Sequence, residues 1–232
     1  MMDFRRPARV LIADDLETVR KGLGMVLSRE PDLEVVGEAA NGREAVELCR
    51  RAGPDLVVMD VQMPEMDGLA ATREIKAELP AVAVLVLTAY DDPDYMFEAV
   101  RAGAAGFVLK RNAMRRLAEV VRTVLVGDPP LEQSTAMRLL RRMADANGSA
   151  ARQDPDARAR RQRAEDLLTG REREVLAHIA WGHTNGRIAE ELVLSVGTVK
   201  THVHRIISKL GVSDRTQAAV YAIRTGLVSP GP

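Results

Sequence analysis

The sequence predicts an α/β domain built on a parallel sheet, followed by a small all-helical domain. Short apolar runs alternate strictly with amphipathic helical patterns through the first half of the 232-residue chain. The runs are apolar at consecutive positions, as in strands that helices cover on both faces. After Asp166 the apolar positions recur at helical spacing only. Five strand–helix units of this kind fit the doubly wound, flavodoxin-like topology with strand order 2-1-3-4-5.

The predicted elements of the first domain are short and are bounded by polar or turn-forming residues. The strands are Arg9–Ala13, Leu33–Glu38, Leu56–Asp60, Val82–Thr88 and Gly106–Leu109. The helices that follow them are Leu16–Ser28, Gly42–Ala52, Gly68–Glu78, Pro93–Ala102 and Asn112–Val126. Pro54, Pro80 and Gly103 come directly after three of these helices, where helix-breaking residues are expected.

The pattern changes at Gly127, where a linker begins. One helix is predicted at Leu131–Ala146, and the charged, aperiodic segment 147–166 after it predicts a flexible, Arg-rich tether. The alternative is that the arginines of this tether contact DNA phosphates. We therefore divide the chain into a first domain at 1–126, a linker at 127–163 and a second domain at 164–232.

Capping residues mark the helices of the second domain. A T-x-x-E capping box, formed by Thr169 and Glu172, opens the first of them, which is predicted to run through His178 to Trp181. The other signals are Ser195 before a helix over Val196–Leu210, Gly211 after it, and Asp214 with Gln217 at the start of the last helix.

Composition and charge narrow the class of protein. The single cysteine, Cys49, cannot form an internal disulfide, which fits a reducing cytoplasm. No run approaches the roughly 20 apolar residues of a membrane span. The net charge is zero, but residues 167–232 hold 8 Lys and Arg against 5 Asp and Glu, together with all 4 histidines. A polyanionic partner is therefore expected at the second domain.

Polar residues stand at the carboxyl ends of four predicted strands. Asp14 and Asp15 follow the first strand, Asp60 ends the third, Thr88 ends the fourth and Lys110 follows the fifth. These ends share one edge of a doubly wound sheet. Three neighbouring carboxylates repel one another unless a cation neutralises them, and Mg²⁺ suits such an all-oxygen site. Asp60 could then attack phosphorus as a nucleophile, with Thr88 and Lys110 holding the phosphoryl oxygens.

Each of these residues also has an ordinary structural explanation. The three aspartates could cap helices, Thr88 could be a strand residue and Lys110 a solvated chain end. Their joint placement at one sheet edge favours a shared site instead.

Four motifs occur in the order found in a known family, and they are "LIADD", "VVMDVQMPEMDG", "VLTAY" and "GAAGFVLK". Over about Arg9–Val126 the chain resembles the receiver domain of bacterial two-component response regulators. The resemblance implies that Asp60 accepts phosphate from a sensor kinase histidine. It also implies that Asp15, Asp60 and the backbone carbonyl of Gln62 bind Mg²⁺, while Asp14 acts through water.

The resemblance further implies a switch at two residues. Thr88 would move towards the phosphate, and Phe107 would swing inward as the switch aromatic. Family members often carry Tyr at this position, and Phe lacks the hydroxyl that could form a polar latch.

The helix Val196–Leu210 divides into two faces. Val199, Val203, Ile206/Ile207 and Leu210 form an apolar stripe, and short or basic side chains lie opposite. Such a face fits the major groove of DNA, although a solvated amphipathic helix would show the same division.

The segments "LTGREREVL" and "NGRIAEELVLSVGTVKTHVHRIISKLGVSDRTQA" resemble the LuxR-type helix-turn-helix of the NarL/FixJ response regulators, over about Ala164–Val228. The resemblance makes Arg187–Val193 the scaffold helix region and Val196–Leu210 the recognition helix. The side chains it places nearest the bases are Lys200, Thr201 and His204. Those it places nearest the phosphates are Thr198, His202, Arg205 and Lys209.

One residue departs from the family pattern. The family usually has Glu at the position of Arg187, where it would complete a capping box with Thr184. Arg187 cannot do so, at a cost of about 0.5–1 kcal/mol. Either it contacts a DNA phosphate or the change is neutral drift.

The expected function is that of a cytoplasmic transcription regulator, not an enzyme. Its expected partners are a sensor histidine kinase, double-stranded DNA and, when phosphorylated, a second copy of the chain, with RNA polymerase as a further candidate and no membrane. One alternative is a haloacid-dehalogenase-type phosphatase, which needs a second Asp at position 62, where this chain has Gln62. Another is a regulator whose receiver has lost phosphate chemistry and serves as an interaction module.

Overall fold

A computed structural model of the chain describes residues 6–89, 93–127 and 155–228. The chain divides into two compact units, Met1–Pro130 and Leu131–Pro232, and each is described by itself. The predicted helix Leu131–Ala146 lies outside the described residues.

The first unit contains a five-stranded sheet in which all paired strands are parallel. The strand order is β2-β1-β3-β4-β5, which confirms the predicted topology. Every residue of β3 is buried, because this central strand has helices on both of its faces. The strands are β1 (Ala8–Ala13), β2 (Leu33–Ala39), β3 (Leu56–Asp60), β4 (Ala83–Thr88) and β5 (Gly106–Leu109).

Five helices of the first unit connect and follow the strands. They are α1 (Glu17–Leu27), α2 (Gly42–Ala52), α3 (Gly68–Glu78), α4 (Pro93–Ala102) and α5 (Lys110–Leu125). Three of the five have the predicted bounds. Helix α5 starts earlier than predicted, because the chain leaves β5 at Leu109 in an extended conformation and is helical from Lys110 onwards. Lys110 is thereby held at the rim of the sheet by both elements.

The sheet separates two apolar cores. One packs α1 and α5 against one face and includes Leu23, Leu56 and Leu117. The other packs α2, α3 and part of α4 against the opposite face and includes Met59 and Ile75. A strand covered on both faces, such as β3, can present a polar side chain only at its end, which is where the candidate site lies.

The second unit is helical throughout its described residues. Its helices are α6 (Pro155–Leu167), α7 (Gly170–Ala180), α8 (Asn185–Glu191), α9 (Val196–Leu210) and α10 (Arg215–Arg224). The predicted caps are confirmed, since Thr169, Ser195 and Asp214 each accept a hydrogen bond from a backbone N–H in the first turn of the following helix. Gly211 ends α9 with a φ of 66°, in the left-handed region that favours glycine.

Helix α6 corrects one prediction, because part of the segment expected to be a flexible tether is helical. Pro155 is its first residue, a position at which the missing N–H costs nothing. Arg161 Nε donates to Glu165 and Gln162 Nε2 to Asp166, at 2.8 and 3.2 Å, which are pairs at helical i,i+4 spacing. The helix was missed because it is polar on all sides, so no apolar period marks it.

The turn between α8 and α9 contains a strained residue. Val193 has a φ of 54°, a left-handed conformation that is unusual for a β-branched side chain. It is 89% exposed, so its side chain contributes little packing. Asparagine tolerates this conformation better than valine, because its short polar side chain can hydrogen-bond locally.

We therefore expect Val193→Asn to raise the free energy of unfolding by about 1 kcal/mol. Urea unfolding followed by the fluorescence of Trp181, the single tryptophan, reports on this unit. Val196→Asn is the matched control, because Val196 is also exposed but lies in the regular first turn of α9. An equal effect of both substitutions would contradict strain at Val193.

Candidate functional site

The predicted carboxylates, hydroxyl and ammonium lie at one edge of the sheet. Asp60 ends β3 and Thr88 ends β4, while Lys110 begins α5 directly after β5. A cleft of about 230 Å³ opens there, and its lining includes Asp15, Asp60, Gln62, Thr88 and Lys110. Asp15 and Gln62 are exposed at its rim, whereas Thr88 is buried in its wall. The remaining predicted residue, Asp14, is fully buried beside it.

Lys110 joins the two buried aspartates. Its Nζ lies 2.8 Å from Asp14 Oδ2 and 2.7 Å from Asp60 Oδ2. The other oxygen of each carboxylate accepts a backbone hydrogen bond, from Leu16 N–H to Asp14 and from Val61 N–H to Asp60, at 3.0 and 2.8 Å. Asp60 is only 4% exposed, so these contacts fix its orientation towards the cleft.

The electrostatic state of the cluster follows from burial and charge. Burial raises the pKa of Asp60, the nearby Asp14 raises it further, and Lys110 opposes both effects. Burial alone would lower the pKa of Lys110, but its contacts with Asp14 and Asp60 outweigh that effect and raise it. Lys110 therefore carries a positive charge. That single charge cannot neutralise both buried carboxylates.

The cluster has the ligands that a hard divalent cation requires. Asp14, Asp15 and Asp60 each offer a carboxylate oxygen, and these oxygens lie within 4.8 Å of one another. Asp14 Oδ2 is buried, and among the described residues it has no hydrogen-bond partner beyond its ion pair with Lys110. A buried oxygen in that state has capacity for a further cationic partner, so the residues fit Mg²⁺.

Gly68 holds the loop after β3 against the strand end, a role that the sequence analysis did not identify. Its N–H donates to the carbonyl of Val61 at 2.9 Å. A Cβ atom at this position would lie 1.8 Å from the carbonyl oxygen of Asp60. The only sequence signal was a glycine at the first position of α3, directly after the N-cap Asp67.

Phe107, the predicted switch aromatic, lies on β5. It is half-buried and packs against the core under α2 and α3. Its role in switching stays a prediction.

Helix α9 has the two faces that its sequence predicted. Val199, Val203 and Ile206 are buried, while Ile207 and Leu210 at the edge of the stripe are half-buried. The predicted DNA-contacting residues that are exposed are Thr198, Lys200, Thr201, His204 and Arg205.

Two predicted contact residues differ from the others. His202 is half-buried, and Lys209 Nζ donates to Glu172 Oε2 at 2.7 Å. The same Glu172 oxygen accepts from the N–H of Thr169, so Lys209 ties the end of α9 to the capping box of α7. Burial would raise the pKa of Glu172, but the contacts with Lys209 and Thr169 outweigh it and lower it. An ammonium held on a buried carboxylate is less available to a DNA phosphate.

Arg187 pairs within the domain. Its N–H donates to the N-cap hydroxyl of Thr184 at 3.3 Å, and its Nε donates to Glu191 Oε1 at 2.9 Å. Thr184 therefore still caps α8, although Arg187 cannot act as the acidic partner of a capping box. Arg187 instead forms an i,i+4 ion pair with Glu191.

Each of the two units matches a known protein family. Residues 10–122 match the response regulator receiver domain, and residues 166–222 match the luxR family of bacterial regulatory proteins. The chain is 42% identical over 221 residues to the transcriptional regulatory protein LiaR of Bacillus subtilis, covering 95% of this chain and 99% of LiaR. This chain is a two-component response regulator of the NarL/FixJ family. Response regulators of this kind regulate transcription by binding DNA and are not enzymes.

Two further relatives extend the comparison. The response regulator is 38% identical over 222 residues to the response regulator protein VraR of Staphylococcus aureus, covering 95% of this chain and 98% of VraR. The signal receiver domain of NarL from Mycobacterium tuberculosis superposes with a TM-score of 0.51 at 33% identity, covering 53% of this chain and 98% of that domain. Among the described residues, no helix has the length and apolar character needed to cross a bilayer.

Proposed function

We propose that phosphorylation of Asp60 controls the binding of this response regulator to DNA. The observation that carries the proposal is the placement of Asp60, a nearly buried carboxylate that faces an open cleft and contacts the ammonium of Lys110 at 2.7 Å. A carboxylate that served only as a helix cap would have no need of a lysine at that distance.

The proposed donor is a phosphohistidine of a sensor histidine kinase. A carboxylate oxygen of Asp60 attacks phosphorus, the P–N bond breaks, and its electron pair remains on the imidazole nitrogen of the donor, which takes up a proton. The product is an acyl phosphate on Asp60. Lys110 and Thr88 then hold the transferred oxygens, because both border the same cleft.

Asp14, Asp15 and Asp60 are the residues that would hold Mg²⁺. When bound, Mg²⁺ supplies the positive charge that lets the three carboxylates ionise together and that attracts phosphoryl oxygens. Gln62 lines the same cleft and can add its backbone carbonyl.

The output of the proposed switch is sequence-specific binding of double-stranded DNA by α9, as a homodimer formed on phosphorylation, followed by contact with RNA polymerase. The direct test measures the affinity of the full chain for its preferred site before and after treatment with acetyl phosphate and Mg²⁺. We expect tighter binding after treatment. An unchanged affinity in a chain that is fully phosphorylated would refute control of DNA binding by Asp60.

Substitutions on α9 are expected to distinguish the residues that contact bases from those that contact phosphates. Lys200→Ala removes an exposed donor from the face assigned to the bases, so we expect it to weaken the preferred site by about 1–3 kcal/mol and to relax its sequence preference. Arg205→Ala removes a phosphate contact and should weaken all DNA alike, reducing the slope of log affinity against log salt by about one.

The measurement is selection of DNA from a random pool, with salt titrations on the selected sequence. Glu190→Ala is a charge-changing control on α8, outside the face assigned to DNA. Selection of the same sequence by the Lys200→Ala variant and the wild type would show that the assigned register of α9 is wrong.

A further inference from the structure

Two histidines and a glutamate converge in the second unit. His178 lies near the end of α7, His183 lies in the turn after it, and Glu191 is the last residue of α8. The Nδ1 atoms of the two histidines are 3.0 Å apart. Glu191 Oε2 lies 2.8 Å from Nδ1 of His178 and 2.9 Å from Nδ1 of His183. The three atoms therefore form a nearly equilateral triangle.

Protons can satisfy two sides of this triangle but crowd the third. If both imidazoles are protonated on Nδ1, both donate to Glu191, but the two hydrogens then lie close together, because their nitrogens are only 3.0 Å apart. If only one is protonated on Nδ1, it can donate to the other ring, but that ring then presents a lone pair to the glutamate oxygen, and two acceptors meet at less than 3 Å. Every arrangement with neutral rings leaves one close contact unfavourable.

A metal ion bound by all three atoms would remove these unfavourable contacts, because each atom would then donate a lone pair to the ion. Bonds of about 2.0–2.1 Å from nitrogen and oxygen to a tetrahedral ion place neighbouring ligand atoms about 3.3 Å apart. The observed separations of 2.8–3.0 Å need an expansion of only a few tenths of an ångström to reach that value. Two imidazoles and one carboxylate form a donor set that is typical of zinc.

We propose that His178, His183 and Glu191 form a binding site for a transition-metal ion of the Zn²⁺ class. The site belongs to the DNA-binding domain and shares no residue with the Asp60 cleft. Three ligands come from the protein, and water would supply the fourth.

Neighbouring residues hold the ligands in the form that a metal needs. Arg187 Nε donates to Glu191 Oε1 at 2.9 Å, which orients the carboxylate so that Oε2 faces the histidines. This contact lowers the pKa of Glu191. Burial lowers the pKa of His183, and the charge of Arg187 assists, although Glu191 opposes them. The positive charge of Arg187 also opposes a bound cation, so we expect weaker binding than at a closed four-ligand zinc site.

The proposed site connects the first helix of the domain to the scaffold helix. An ion there would join the end of α7 and the turn after it to the end of α8, directly before the turn that leads into α9. The single tryptophan lies beside it, since the ring of Trp181 is centred 5.0 Å from that of His178 and 6.1 Å from that of His183. Trp181 is therefore a built-in reporter of occupancy.

The test titrates Co²⁺ and Zn²⁺ into the full chain while following Trp181 fluorescence, in Mg²⁺ sufficient to saturate the acidic cleft. For Co²⁺ we expect one saturable event that quenches Trp181 and produces the visible absorption of a tetrahedral Co²⁺ site. Zn²⁺ should displace the Co²⁺ and remove that absorption. Absence of saturable binding by either ion would overturn the proposal.

Substitutions test which residues bind the ion. His183→Gln and Glu191→Gln should each raise the apparent dissociation constant at least about tenfold, since each removes one of three ligands. Glu190→Gln is the matched control, because Glu190 is the exposed neighbour of Glu191 on α8 and its substitution should leave the constant unchanged. Far-UV circular dichroism verifies that each variant is folded, and Glu191→Gln, at an exposed helix end, keeps the test valid if a histidine variant does not fold. Unchanged binding in folded His183→Gln or Glu191→Gln would overturn the assignment.

Discussion

Asp60→Ala is expected to abolish labelling of the protein by a radioactive small-molecule phosphodonor in the presence of Mg²⁺. The reason is geometric, because Asp60 is the residue whose carboxylate both borders the open cleft and contacts Lys110. Asp14 also contacts Lys110 but is fully buried, so it cannot replace Asp60 as the nucleophile. Removing Mg²⁺ with a chelator should abolish labelling of the wild type as well, since the clustered carboxylates then lack their neutralising cation.

Asp67→Asn is the matched control for Asp60→Ala. Asp67 lies in the same loop and caps α3, and asparagine preserves the cap, so we expect labelling to remain. The label on the wild type should also be lost in acid or base, as an acyl phosphate is, whereas a phosphoserine would survive acid. Undiminished, acid-stable labelling of the Asp60→Ala variant would refute the assignment of Asp60.

Gly68→Ala is expected to destabilise the receiver by about 3 kcal/mol, at the upper end of the usual cost of forcing extra atoms into a packed site. The added Cβ would lie 1.8 Å from the carbonyl oxygen of Asp60 and 2.8 Å from its carbonyl carbon. Backbone atoms cannot move aside as a side-chain end can, so either the loop lifts or β3 shifts. Because the added Cβ presses on the carbonyl group of Asp60 itself, we expect labelling to fall together with stability.

Gly170→Ala provides the matched control for Gly68→Ala. Both glycines are the first residue of a helix after a side-chain cap, but a Cβ at Gly170 would meet nothing within 4 Å. There we expect a gain of about 0.4–1 kcal/mol, because alanine reduces the entropy of the unfolded chain. Urea unfolding followed by circular dichroism measures both variants. Equal effects of the two substitutions would show that the contact with Asp60 is not the cause.

Much of the receiver could be predicted because its signals are local. A buried strand such as Leu56–Asp60 is apolar at consecutive positions, and parallel topology then places the carboxyl ends of all strands at one edge. Asp60 and Lys110 are 50 residues apart in sequence, yet their placement at the same sheet edge follows from that topology. The helix starts at Thr169 and Ser195 were predictable for a similar reason, because a cap and its partner lie three residues apart.

Other features depend on tertiary contacts that no local pattern encodes. Lys209 lies on the predicted phosphate-facing side of α9, but a buried carboxylate 37 residues earlier in the chain holds its ammonium. The histidines and Glu191 do not have the spacing of a familiar metal motif. Their convergence depends on how the fold arranges α7 and α8, which no local pattern reveals. Gly68 is required by the close approach of a carbonyl group, which only the folded loop reveals.

The side-chain caps of the second unit bear on how the protein folds. Among its described helices, α7, α8, α9 and α10 each begin at a residue that accepts a backbone hydrogen bond within its own first turn. Contacts so close in sequence form early, because little loop entropy is lost in making them. In the receiver, β1 must instead pair with β2 and with β3, whose strands arrive only after intervening helices. The DNA-binding domain should therefore reach its native structure sooner on refolding than the sheet that carries Asp60.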